Sequence, residues 1–215
     1  MSSHPSEPAT RVEDGQERSR ARPWSRYWNR ALDRLRRYVR HDDPLAEASN
    51  DVALLVGTHL PFWPLYLLWS AGTKTLPVSL LTMTLSPVFC LMPLLTRSHP
   101  LAGRVGVVLA GIANTILTCW VLGTNNGTQL FLLPCAALAA ISFRRQERVW
   151  MVTLGLLPIA VWYGLRMNLL PSLAHFEGAD VESIFTLNSI SVVVLLTAYG
   201  WLQGQTYARM ERRPR

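Results

Sequence analysis

From residue 52 onward the sequence is a succession of six apolar runs separated by short polar connections. The runs are residues 52–71, 76–95, 105–122, 129–143, 149–165 and 183–203. A helix needs roughly 20 apolar residues to cross hydrocarbon, with a working range of about 17–25. Five runs meet that length; the fourth, with fifteen residues, has the length of a re-entrant segment as well as that of a short span. Inside a bilayer every backbone N–H and C=O must be satisfied within the protein, which leaves helices for runs of this kind. The expected fold is therefore an all-α polytopic membrane protein with six transmembrane helices.

Basic residues in the connections set the expected orientation. The flank before the first run holds ten arginines, and the next connection only Lys74. Arg97 and Arg104 follow, then an uncharged GTNNGT, then Arg144, Arg145 and Arg148, then Arg166 alone, and Arg209, Arg212, Arg213 and Arg215 at the end. Rich and poor connections alternate throughout, which requires an even number of crossings. Omitting the fourth run would put the RRQER connection on the wrong side. The expectation is a multi-pass protein of the bacterial inner membrane with N- and C-termini cytoplasmic. Trp69, Trp120, Trp162 and Tyr163 fall near the predicted outer ends, and Trp150, Tyr199 and Trp201 near the inner ones, as an aromatic belt requires.

Two segments precede the runs. Residues 1–23 have almost no large apolar side chain and are expected to be a disordered cytoplasmic head. No early apolar stretch reads as a signal peptide. In residues 24–41, WSRYWNRALDRLRRYVRH, the aromatic and leucine positions recur at helical steps opposite an arginine-rich face. This pattern suits an amphipathic helix lying in the membrane interface. A solvated helix packing on a partner or on its own copy is the alternative. Residues 204–215 form a basic cytoplasmic tail.

The chain is 49% hydrophobic and 16% charged, against about 25% charged in an ordinary soluble domain. Its net charge of +7 raises nucleic acid as a partner. The basic residues sit at the predicted cytoplasmic edge, however, where anionic headgroups are the simpler partner and nucleic acid is not expected. Arg26, Arg30, Arg37, Arg104, Arg144, Arg145 and Arg148 are the expected lipid contacts. Cys90, Cys119 and Cys135 lie inside apolar runs without C-x-x-C spacing and read as packing residues. No phosphate-binding loop, H-E-x-x-H pair or nucleophile elbow is present, and no acid lies within a run. No enzyme activity, cofactor or metal is expected.

The polar residues inside the runs are the candidate ligand contacts. His59 lies near mid-depth of the first run, where an ionisable group is costly enough to suggest function. Asn114 lies at mid-depth of the third, Gln129 opens the fourth, and Asn188 lies in the outer third of the sixth. Trp63, Tyr66 and Trp162 reach similar depths. Together they suit a pocket open to the outer side; the alternative is hydrogen bonding that only holds helices together. Gly200 and Gly204 make a G-x-x-x-G, a spacing that permits a homodimer. Seven prolines in the runs predict kinks.

The amphipathic lead, a first run reading HLPFWPLYLLW, and above all residues 122–150, LGTNNGTQLFLLPCAALAAISFRRQERVW, resemble the six-span membrane sensory domains of bacterial class III adenylate cyclases and quorum-sensing histidine kinases. The resemblance covers roughly residues 24–208. It implies reception of a small, apolar ligand from the outer side, passed on through the last helix. Residues 204–215 hold no cyclase domain, phosphorylatable-histidine helix pair or nucleotide-binding segment. The expected output is therefore through a cytoplasmic partner. The alternative function is that of a small transporter or permease subunit.

Overall fold

A computed structural model describes residues 23–72, 76–167, 172–173 and 178–211. The expected head lies outside the described residues, apart from Pro23. Every regular element among the described residues is helical. Two compact units divide after Tyr38. The first contains α1 (Pro23–Val39) except its last residue, Val39, which belongs to the second; the helix's seventeen residues carry the amphipathic pattern. The second is the bundle.

The bundle opens with α2 (Pro44–His59), eight residues earlier than the apolar pattern indicates. Asp43 supplies the start: its carboxylate accepts from the Leu45 N–H at 3.1 Å, with Pro44 at the first helical position. Asn50, polar enough to end an apolar reading, is buried and donates to the Val39 carbonyl at 3.0 Å. A 3-10 turn, Leu60–Phe62, interrupts the first run between Pro61 and Pro64, and α3 (Trp63–Ala71) completes it. The second run is more broken still. A short α4 (Leu76–Ser79) and a 3-10 turn (Leu80–Met83) precede α5 (Ser86–Ser98). The expected proline kinks take this form because each proline removes a backbone donor.

The third run is α6 (Pro100–Leu122), again begun by a proline five residues before the apolar count. It packs against α2, α5, α7 and α8 and is the axial helix: half of its apolar stretch is buried, against a third or less in the other long helices. The fourth run is a 3-10 turn (Thr128–Phe131) followed by α7 (Leu132–Ser142). A further 3-10 turn (Arg145–Glu147) leads into α8 (Arg148–Arg166), and α9 (Ala179–Glu211) is the last helix. Eight residues expected in the tail, 204–211, continue α9, and the final four lie outside the described residues. At about 1.5 Å per residue α9 is about 50 Å long and overhangs a hydrocarbon layer of about 30 Å.

Among the described residues, five helical stretches are long and apolar enough to cross a membrane: Pro44–Trp69, Pro77–Ser98, Pro100–Leu122, Arg145–Arg166 and Asp180–Thr206. The Thr128–Ser142 stretch is apolar but shorter. Large apolar side chains such as Leu65, Leu91, Ile159 and Val193 are exposed on the outside of the bundle. That exposure is the inverse of a water-soluble surface and is what a lipid solvent accepts.

Candidate functional site

A cavity of about 430 Å³ lies between the first run, α6 and α9. Ligand pockets commonly measure about 300–1,000 Å³. Its wall is mostly apolar. His59 reaches it from the end of α2, Trp63 and Tyr66 from α3, and Asn114 from α6. Four of the seven expected ligand contacts therefore meet here. The 3-10 turn at Leu60–Phe62 brings the aromatic groups together, because it carries the chain from His59 to Trp63 in one tight turn. The His59 and Tyr66 rings stand 5.7 Å apart, and Trp63 meets Tyr66 edge-on at 6.3 Å and Phe131 at 5.9 Å. Phe131, on the cavity wall from the turn before α7, was not singled out from the sequence, where it is one more apolar residue.

Two polar atoms of this wall lack partners among the described residues. The Trp63 indole N–H and the Asn114 side-chain oxygen are both closed to water and unbonded. A buried donor or acceptor left unpaired costs about 1–3 kcal/mol. By contrast, the nearby hydroxyls of Thr115 and Thr118 are bonded to the Gly111 and Asn114 carbonyls of their own helix, at 3.0 and 2.7 Å. Two residues of the wall thus carry an unpaired donor and an unpaired acceptor that are shielded from the cavity in this arrangement.

The other three expected contacts lie elsewhere. Gln129 is half-buried in the turn before α7 and is not part of the wall. Trp162 is on α8, with the Arg166 guanidinium 5.3 Å above its ring. Asn188 is fully buried and acts as a clasp. Its amide donates to the Asn126 carbonyl at 2.8 Å and to the Thr128 hydroxyl at 3.3 Å. Asn126 in turn accepts from the Thr128 hydroxyl at 2.5 Å and donates to the Leu122 carbonyl at 2.8 Å. The polar GTNNGT connection is therefore a folded turn bolted to α9, and Gly127 within it has φ 77° and Phe185 against it. Asn188→Ala is expected to cost about 1–3 kcal/mol, because it strips donors from two buried acceptors. Asn188→Asp, which lacks the same donors and also buries a carboxylate against these oxygens, is expected to cost more. Thermal unfolding in detergent, followed by circular dichroism, measures both.

A second polar cluster occupies the arginine-rich end. Arg104, 3% exposed, forms a bidentate pair with Glu147, both contacts at 2.7 Å, and donates to the Ser142 carbonyl at 2.9 Å. Arg144 pairs with Asp43 at 3.1 Å, and its backbone N–H donates to Glu147 at 2.9 Å. Arg104 was expected at the lipid surface, yet the structure places it inside the bundle. Its partner is 43 positions away in sequence, a pairing no local pattern reveals. Of the other expected lipid contacts, Arg30, Arg37, Arg144, Arg145 and Arg148 are exposed, and the Arg26 side chain lies outside the described ones. Apart from α9's own nearby backbone, no described residue comes within 4 Å of a Cβ added at Gly200 or Gly204.

The MASE7 family model matches residues 52–212, well over half of the chain. The match begins within α2 and takes in every later element to the end of α9. No curated protein matches.

Proposed function

The chain belongs to the MASE7 family of membrane-associated sensor domains, and from that membership we propose that it is a receptor module for a small, apolar ligand. In this reading Thr128–Ser142 completes a sixth span and both termini are cytoplasmic, in the inner membrane of a bacterium. The alternation of basic connections supports that topology. Ligand reaches the cavity from the outer side or from the acyl layer beside it; Leu55, Ile190 and Val194, all on the wall, are exposed on the outside of the bundle. Occupancy then biases α9, which supplies much of the wall, and a cytoplasmic partner reads its inner end. The chain itself performs no catalysis in this scheme.

The cavity, with its unpaired Trp63 and Asn114 atoms, carries the reading. An uncharged ligand that accepts from the indole and donates to the amide relieves both after a small local adjustment, and the apolar wall holds the rest.

The test uses the purified full chain in bicelles, with uncharged medium-chain alcohols and alkylbenzenes as probes. A ligand present at a hundredfold its dissociation constant stabilises the folded state by about 2.7 kcal/mol, read as a raised melting temperature. Ser191→Trp combined with Ala198→Phe crowds the α9 side of the cavity and is expected to abolish that shift. Equal shifts in both proteins would put the probes in the surrounding lipid and remove the cavity from the reading.

A further inference from the structure

We propose that α1 is a docking element for an anionic bilayer surface, with its aromatic and leucine stripe at the acyl boundary and its arginines among the headgroups. This step needs the chain to be in a membrane but is independent of the ligand cavity.

The helix has five arginines against one acid, Asp33. Successive residues advance by about 100°, so Tyr27, Ala31, Leu32, Leu35 and Tyr38 share one side. Arg26, Arg30, Arg34, Arg36 and Arg37 take the remainder. Tyr27 is 69% exposed, Leu32 47% and Leu35 45%. Arg30, Arg34 and Arg36 are exposed too. A partner for this helix must therefore supply apolar surface and negative charge side by side. An anionic bilayer supplies both. Nucleic acid supplies the charge and leaves the stripe in water. A neutral protein groove covers the stripe and leaves the arginines unmatched.

Charge gives the interaction its selectivity. Each basic side chain near an anionic surface is worth about 1 kcal/mol, or about fivefold in partitioning. Three arginines then multiply the ratio of docked to undocked helix by roughly a hundredfold, a gain that salt screens away. The chain is already held at the bilayer by its spans, so docking is intramolecular and a modest affinity suffices.

The experiment uses the full chain in nanodiscs, with an environment-sensitive fluorophore at Leu32→Cys in a background where Cys90, Cys119 and Cys135 are alanine. The bilayers are phosphatidylcholine alone or with a third phosphatidylglycerol. Tryptic cleavage at the α1 arginines of the unmodified chain provides a second readout without substitutions. Docking predicts a blue shift, at least tenfold lower quencher access and slower cleavage in the anionic bilayer, reversed by half-molar salt. In Arg30→Gln/Arg34→Gln/Arg36→Gln the ratio of docked to undocked helix should fall roughly a hundredfold. Unchanged label access and cleavage in the two bilayers would overturn the proposal. So would protection that ignores lipid charge and rises with two chains per disc, which assigns the stripe to a second copy. Protection in phosphatidylcholine alone on adding an oligonucleotide would assign the face to nucleic acid.

Discussion

Arg104→Met is expected to lower the unfolding free energy of the bundle by about 3 kcal/mol, the low end of the range for breaking a buried ion pair, since Glu147 keeps 20% of its surface. The loss is larger than one contact suggests because Arg104 serves three elements. It pairs with Glu147 before α8, donates to the Ser142 carbonyl at the end of α7, and lies 3.9 Å from Asp43, the residue that caps α2. Its guanidinium also lies over the Phe143 ring at 5.8 Å. Without it, a partly buried carboxylate and a helix-terminal carbonyl lose a charged donor together. Arg104→Met with Glu147→Gln should recover more than half of the loss, because the orphaned charge is gone. Thermal unfolding in bicelles decides it. A single variant as stable as the wild type would mean that the pair contributes nothing net, which is the known behaviour of many exposed ion pairs.

The second large effect is expected at Gly103. A Cβ placed there would run into the Thr96 Oγ1 and stand 2.8 Å from the Thr96 Cα. A side-chain rotation relieves the first contact, but the second is backbone and moves only if α5 moves. Overpacking commonly costs about 1–3 kcal/mol and more where the backbone must shift, so Gly103→Ala should cost about 3 kcal/mol. Gly57 makes a milder version of the same approach, with the Cys90 Sγ at 2.9 Å and the Cys90 N at 3.1 Å. α5 is thus held between two glycine-sided helices. In a membrane, where apolar burial does not drive association, close backbone packing of this kind is a main source of stability. Gly200→Ala, with open space around it in the single chain, is the control and should raise stability by about 0.5–1 kcal/mol, the ordinary gain of alanine over glycine inside a helix. An unchanged melting temperature for Gly103→Ala would show that α5 and α6 stand farther apart.

The helical architecture was legible in the sequence because long apolar runs leave the backbone few alternatives. The helix starts were less so. Apolar counting placed the first helix at residue 52 and missed the Asp43–Pro44 start, because Glu47, Asn50 and Asp51 looked like a connection. Asn50 belongs inside the helix because it bonds back to Val39. The site was half legible. His59, Trp63, Tyr66 and Asn114 do converge, since polar and aromatic groups at similar depth on neighbouring helices tend to face a common space. Depth alone also selected Trp162 and Asn188, and depth says nothing about which way a side chain points. The clasp at Asn126 and Thr128 was visible only as a polar turn, because its partner on α9 is about sixty positions away.

One consequence follows from where the first long rod is broken. His59 precedes its joint, Leu60 lies in it, Trp63 and Tyr66 follow it, and all four border the same void. On the proposed receptor reading, a ligand there would touch both halves of a lever at its fulcrum. Bending that lever by a few degrees swings its far end, at Asp43, by ångströms, and so bears on the latch that Arg144 and Arg104 close over it.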